Sequence, residues 1–328
     1  MNGVDGRKLM ADAKFYESYS RWIESANRYE TWKESVQRVM DMHRFKYADK
    51  MTPALAEAID FCQELYEAKA VLGAQRALQF GGEQLLKNNL KLYNCVSSHL
   101  NRPAFFGEFM ELLLSGCGAG FSVQKQHIEQ LPPLKPRNKG AKTFVADDSI
   151  EGWAEAFDVL FSSFFASNGK HPEYAAHPVF IDLKNIRPKG AMISGGFKAP
   201  GPEPLRKALD HVETILNKVA DEKRKLKPIE AYDCCMHMAD AVLSGGIRRS
   251  ATIALFSKDD EEMIKAKTGD WFISNPQRGR SNNSAMLLRD ETTFEEFQKI
   301  MESVQHSGEP GFIWTDNLEF TYNPCVNI

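Results

Sequence analysis

The stretch Tyr322-Asn323-Pro324-Cys325-Val326-Asn327-Ile328 sets a thiol between two amide side chains and directly after a proline. Pro324 fixes its own φ and biases Asn323 toward extended backbone, so the Cys325 sulfur is presented from a stiff turn. Five further cysteines, Cys62, Cys95, Cys117, Cys234 and Cys235, are widely scattered. They form no C-x-x-C pair and no Cys/His grouping at zinc spacing, so no metal site held by cysteines is expected. In a reducing compartment such thiols are packing or functional groups, and structural disulfides are not expected.

A second chemistry is anion binding. Ser194-Gly195-Gly196-Phe197-Lys198-Ala199-Pro200-Gly201-Pro202 leads into a helical pattern, and Ser244-Gly245-Gly246-Ile247-Arg248-Arg249-Ser250 leads into a strand pattern. Neither is a Walker or Rossmann fingerprint, and glycines alone serve equally as turn punctuation. Backbone amides beside Lys198, Arg248 and Arg249 suit phosphate.

The elements that must position these groups follow from periodicity. From Lys14 to His43 aromatic and aliphatic residues recur at helical spacing, interrupted around Ser25–Arg28, and a second helix follows the cap Thr52-Pro53. This opening aromatic stripe reads as core, with Cys62 as packing. Strands are expected at Tyr93–Ser98 and Gly118–Val123 around a helix at Phe105–Leu114. The proline-rich, basic segment Pro132–Lys142 reads as a linker or surface excursion, and a helix is expected over Ser149–Phe165.

Beyond Pro178 strands alternate with helices: strands at Val179–Leu183, Ala251–Phe256, Ser284–Leu288 and Gly311–Thr315; helices at Glu203–Val219, Ile229–Leu243, Asp259–Lys267 and Thr293–Gln305. Such alternation predicts parallel strands with helical crossovers, an architecture whose ligands sit beyond the carboxyl ends of the strands. The 328 residues, 43% hydrophobic and 26% charged, suffice for a sizeable core. A net charge of -3 gives no general attraction to nucleic acid or anionic membrane. The first ten residues lack the apolar run of a signal peptide and no membrane span is evident, so a cytoplasmic protein is expected.

Several separate segments, in order along nearly the whole chain, resemble the adenosylcobalamin-dependent class of ribonucleotide reductases, most closely its monomeric members acting on ribonucleoside triphosphates. They are Asn94-Cys95, Gly118-Ala119-Gly120-Phe121-Ser122-Val123, Ile186-Arg187-Pro188-Lys189-Gly190-Ala191, Gly246-Ile247-Arg248-Arg249-Ser250-Ala251, Ser281-Asn282-Asn283-Ser284, Gly308-Glu309-Pro310-Gly311 and Asn323-Pro324-Cys325. The resemblance implies an α/β fold: the first half of a ten-stranded α/β barrel (91–328, with an insertion or surface excursion around 124–177) after a mainly helical region (1–90). It implies adenosylcobalamin as cofactor, a ribonucleotide substrate, a deoxynucleotide effector and a thiol reductant. Cys325 then corresponds to the thiyl-radical residue on the finger loop, Cys95 to one member of the reducing dithiol, and Asn323 to the amide that binds substrate hydroxyls. Asn94, Ser194, Gly195, Gly196, Gly245, Gly246, Arg248 and Arg249 fall in regions that contact substrate or effector nucleotide.

The chemistry suits the residue types. A sulfur radical exchanges hydrogen with an activated ribose C–H without a deep trap. A second thiol delivers reducing equivalents only if the fold brings it to the other face of the sugar.

The resemblance departs from the family pattern at one position. The motif continues Cys-x-Glu, with the glutamate as general base, and here Asn327 stands in that place. An amide accepts no proton at neutral pH. The family's second barrel half and remaining cysteines lie beyond this motif, so the 328 residues alone are expected to be incompetent, and an interruption of the gene after the Val326 codon accounts for both the missing half and Asn327. A gene split at the finger, with a second polypeptide completing the barrel, or a degenerate relic are the alternatives. A nucleotide-binding or regulatory relic is the competing function, and the glycyl-radical barrel enzymes are a related third reading.

Overall fold

The structure, a computed structural model, describes residues 6–165, 168–193, 197–243 and 251–326. Residues 1–94 and 95–328 form two compact units.

In the first unit, helix α1 (Gly6–Ser18) is followed by an antiparallel pair, Trp22–Ile23 with Arg28–Tyr29, then by α2 (Trp32–Lys46) and α3 (Pro53–Glu67). The helix starts are written locally. Thr31 and Glu34 form a capping box on α2, while Thr52 caps α3 ahead of Pro53. Val36, Val39 and Met40 pack against Ile59 and Tyr66. Two expectations fail here. Trp22 is half exposed, because it lies on the hairpin and stacks edge-on against Tyr29 instead of facing the helices. Cys62 is exposed, because the buried stripe of α3 centres on Ile59 and Tyr66 and the cysteine sits at its edge.

The second unit is built on a five-stranded sheet: β1 (Cys95–His99), β2 (Gly118–Ser122), β3 (Thr252–Ser257), β4 (Ser281–Leu288) and β5 (Gly311–Thr315). All four pairings are parallel and the spatial order is the chain order, as the alternating pattern predicts. The crossovers carry α4 (Phe105–Leu114), α5 (Ile150–Phe164), α6 (Glu203–Asp221), α7 (Pro228–Leu243) and α8 (Phe294–Ser307), the last opened by the Thr293/Glu296 capping box.

One face of the sheet presents Ala119, Phe121, Ala254, Phe256, Ala285 and Leu287 to these helices in a single large core. Phe106 of α4 stacks on Phe161 of α5 with centroids 3.6 Å apart and planes 7° from parallel. Each such fully buried side chain contributes about 1.5–3 kcal/mol of transfer free energy. Cys117, Cys234 and Cys235 are buried, as packing cysteines should be. Burial pushes the thiols of Cys234 and Cys235 well above their ordinary range.

Three details differ from the sequence reading. Val179–Asp182 does not join the main sheet but pairs in parallel with Lys142–Val145. The helix expected over Asp259–Lys267 is a single turn, Glu261–Ile264. Strand β4 begins three residues early, at Ser281, because buried partners accommodate its polar start: Tyr232 Oη lies 3.0 Å from Ser281 Oγ, and Asn283 N–H donates to Glu309 Oε2 at 3.2 Å. In the segment Pro132–Lys142, Leu134 is fully buried and its N–H donates to the Arg224 carbonyl, which ties that stretch to the core. Among the described residues no helix is long and apolar enough to cross a membrane.

Candidate active site, a thiol pair under a returning segment

The other face of the sheet has a smaller apolar cluster, Ile253, Leu255 and Met286, covered by Ile313, Leu318, Tyr322 and Val326. The chain reaches it by reversing after β5. Thr315 Oγ1 donates to the Asn317 carbonyl and accepts from Asn317 N–H, while Asn317 Oδ1 accepts from Glu319 N–H. These side-chain turns send residues 318–326 back across the sheet, opposite in direction to the strands.

The contacts of this segment step backward along β1. His99 Nε2 lies 2.9 Å from the Glu319 carbonyl, Thr321 Oγ1 donates to Ser97 Oγ at 2.8 Å, and Cys325 Sγ lies 3.2 Å from Cys95 Sγ. The alternation of a strand puts 95, 97 and 99 on one face, which is why every second residue is used. β2 makes room with glycine. A Cβ on Gly120 would stand 1.8 Å from the Tyr322 carbonyl oxygen, and one on Gly118 would stand 3.3 Å from Pro324 Cγ and 3.4 Å from Cys95 Sγ. The glycines of the Gly118-Ala119-Gly120 motif therefore let a backbone lie directly on the sheet.

The turn at the end of the segment is closed by Asn323. Its Oδ1 accepts from Cys325 N–H at 3.0 Å and its carbonyl from Val326 N–H at 2.9 Å. Val326 adopts φ 40°, a left-handed conformation costly for a β-branched residue. Cys325 itself is exposed.

This geometry corrects one expectation. Cys95 is the first residue of β1 and pairs with Gly118, the first of β2, so the thiols meet at the amino ends of the strands, not beyond the carboxyl ends. The reason is the reversal after Thr315, which carries Cys325 from one end of the sheet to the other. The sulfurs also touch, at 3.2 Å. The glycines are the cause, since they allow the segment to sink onto β2.

The structure thus brings together Cys95, Asn323 and Cys325. The Asn94 side chain is engaged by Arg76, whose Nη2 donates to Asn94 Oδ1 at 3.2 Å. Ser194, Gly195, Gly196, Gly245, Gly246, Arg248, Arg249 and Asn327 lie outside the described residues. Near the amino ends of β4 and β5, Lys267 Nζ donates to Glu309 Oε1 at 2.9 Å and to the Ser281 carbonyl. The Ser281-Asn282-Asn283 and Glu309 segments are thus clamped to each other by a largely buried ion pair.

Sequence reasoning missed a polar cluster where the returning segment begins. Buried His127 places Nε2 3.0 Å from Glu319 Oε2 and Nδ1 2.8 Å from Ser122 Oγ. The rings of His99 and His127 lie 4.2 Å apart. Burial pushes the His127 imidazolium down and His99 adds to this, against the pull of Glu319; the Glu319 carboxyl is held below its usual range by His127. Gln124 Nε2 braces the cluster by donating to Ser122 Oγ and to the Leu318 carbonyl. No local pattern signals it, since the separations are 28 and 192 residues.

No protein-family model matches the chain. It is 29% identical over 94% of its length to an adenosylcobalamin-dependent ribonucleoside-triphosphate reductase of Lactobacillus gasseri and 28% identical to that of Lactobacillus leichmannii. In both cases 48% of the relative is covered, so the chain spans about half the length of the curated relatives it matches. A crystal structure of a B12-dependent (class II) ribonucleotide reductase superposes with a TM-score of 0.76 over 93% of this chain and 49% of that one, at 23% identity. In sequence along nearly its whole length the chain is similar to the adenosylcobalamin-dependent ribonucleoside-triphosphate reductases, and it has the fold seen in a B12-dependent reductase.

Proposed function

We propose that this chain is the amino-terminal portion of a ribonucleotide reductase, supplying the first half of its barrel, its radical cysteine and one reducing thiol. The observation that carries the reading is the contact of Cys325 with Cys95 across 230 residues of sequence. Two thiols brought together on the open face of a parallel sheet are suited to redox chemistry.

The residues divide the work. Cys325 as a thiyl takes hydrogen from the ribose 3′ carbon and returns it after the 2′ hydroxyl has left as water. Cys95 supplies one of the two reducing equivalents, and a second thiol supplies the other. Asn323 spends its Oδ1 on the Cys325 amide, which leaves the Nδ2–H group to donate to a substrate hydroxyl. For a ribose to enter, the sulfurs must part from 3.2 Å.

Adenosylcobalamin, when bound, supplies the initiating radical by homolysis of its cobalt–carbon bond. The exposed Cys325 thiol fits a radical delivered from outside this unit. The glycine-rich loops at 194–202 and 245–250 are assigned to effector and substrate nucleotide, a deoxynucleotide in the first role, with Arg248 and Arg249 for phosphate. Asn327 leaves the general-base role to another group.

The test is to assay the chain with a polypeptide carrying the remaining reductase half, adenosylcobalamin, a dithiol and a ribonucleoside triphosphate. Deoxyribonucleotide is expected from the wild type and none from Cys325→Ser. Product formation that survives Cys325→Ser overturns the assignment. Deoxynucleotide binding with no cobalamin affinity and no product favours the regulatory alternative.

A further inference from the structure

The cluster of His99, His127 and Glu319 has no role in the thiol chemistry above, and its donor atoms all lie within 4.8 Å of one another. We propose that these three side chains bind a divalent transition-metal ion, of which Zn²⁺ is the best fit, and that the ion pins the start of the returning segment to β1 and β2. Two imidazoles and one carboxylate are a zinc donor set, with the fourth position left for water.

The geometry supports the set residue by residue. His127 Nε2 and Glu319 Oε2 are 3.0 Å apart, close to the roughly 3.4 Å between two ligand atoms on a tetrahedral ion with bonds of about 2.1 Å. His127 is buried and cannot turn away, and its Nδ1 faces Ser122 Oγ at 2.8 Å. With a metal on Nε2 the single ring proton sits on Nδ1 and donates to that hydroxyl, the outer hydrogen bond that orients metal-binding imidazoles. Gln124 holds Ser122 in place. The His99 ring lies against that of His127, and the exposed Glu319 carboxylate is free to close the remaining distance.

The placement gives the ion a structural consequence. Glu319 lies six residues before Cys325, so an ion there fixes the near end of the segment whose far end carries the thiol.

The experiment titrates the purified chain, freed of metal by chelation, with Zn²⁺ against a chromophoric chelator, and records the visible spectrum with Co²⁺ in its place. One equivalent is expected to bind, to raise the melting temperature, and to give Co²⁺ d–d bands without a thiolate charge-transfer band. The exposed Glu319→Gln and the partly exposed His99→Gln should each weaken binding at least tenfold while leaving the fold, by circular dichroism, unchanged. The Cys95→Ser/Cys325→Ser variant should keep the equivalent. Absence of binding in the wild type, unchanged binding in Glu319→Gln, or loss of the equivalent with the two cysteines overturns the proposal. Each readout is independent of reductase activity, so its failure and that of the reductase reading are distinguishable.

Discussion

Gly120 lies directly beneath Tyr322: a Cβ at position 120 would stand 1.8 Å from the Tyr322 carbonyl oxygen and 3.0 Å from Asn323 Cα. Both atoms are backbone and cannot swing aside, so Gly120→Ala must lift the returning segment off β2. The helices pack on the opposite face, and the sheet should survive at a cost of about 1–3 kcal/mol. The expected result is at least a tenfold loss in Cys95–Cys325 crosslinking by a mild oxidant, read by mass spectrometry. Gly140→Ala, with nothing within 4 Å of the added carbon, should leave crosslinking unchanged.

The crosslink itself is the second prediction. The sulfurs at 3.2 Å need approach by only about 1 Å to reach a disulfide length of about 2.05 Å. Diamide, which takes up two electrons and two protons, should oxidise this pair and lower the count of free thiols by two. Cys117, Cys234 and Cys235 are buried, so they should stay reduced. Closing so long a loop should raise stability by up to about 5 kcal/mol in the chain-entropy view. Cys95→Ser or Cys325→Ser should abolish the oxidised species, and a crosslink persisting in either would refute the contact.

How much of this was legible in the sequence depends on whether the cause is local. The Thr52-Pro53 cap and the Thr293/Glu296 capping box are fixed by residues one and three apart and were readable. So were the runs that became β1 to β5, because β-rich segments between helices admit few arrangements. Pairing partners were not readable: Val179–Asp182 has a strand's composition, yet it joins Lys142–Val145 on the side of the fold. The polar start of β4 was illegible because its justification, Tyr232 and Glu309, lies far along the chain. At the site, the residue types of Asn323 and Cys325 announced a turn and a thiol. The contact with Cys95 and the His99, His127 and Glu319 cluster exist only through the reversal after Thr315.

Asn323 is predicted to act through its acceptor. Its Oδ1 takes the Cys325 N–H at 3.0 Å, and such a bond contributes about 1 kcal/mol to the turn. Asn323→Ala removes the acceptor and should slow oxidation of the thiol pair roughly fivefold by that energy. Asn323→Asp keeps an oxygen in place and should crosslink at nearly the wild-type rate, while losing the amide donor assigned to substrate. Equal rates for the alanine and aspartate variants would show that Pro324 alone sets the turn.

Stability should fall on mild acidification through His237. On α7 its ring stacks on His211 of α6 at 4.5 Å, and burial, with His211 and Arg278 adding to it against Asp233 and Asp240, lowers its pKa from 6.5 to about 4. A depressed value means the folded state holds His237 neutral while the unfolded chain binds a proton. The contribution is therefore complete above pH 6.5 and is lost as pH falls from 6.5 toward 4. Denaturant midpoints measured across that window should decline for the wild type and decline less for His237→Gln, which cannot take up the proton. His127, displaced in the same direction by burial, remains in both proteins and cancels in the comparison. Parallel declines in the two proteins would mean that protonation of His237 costs the folded state nothing.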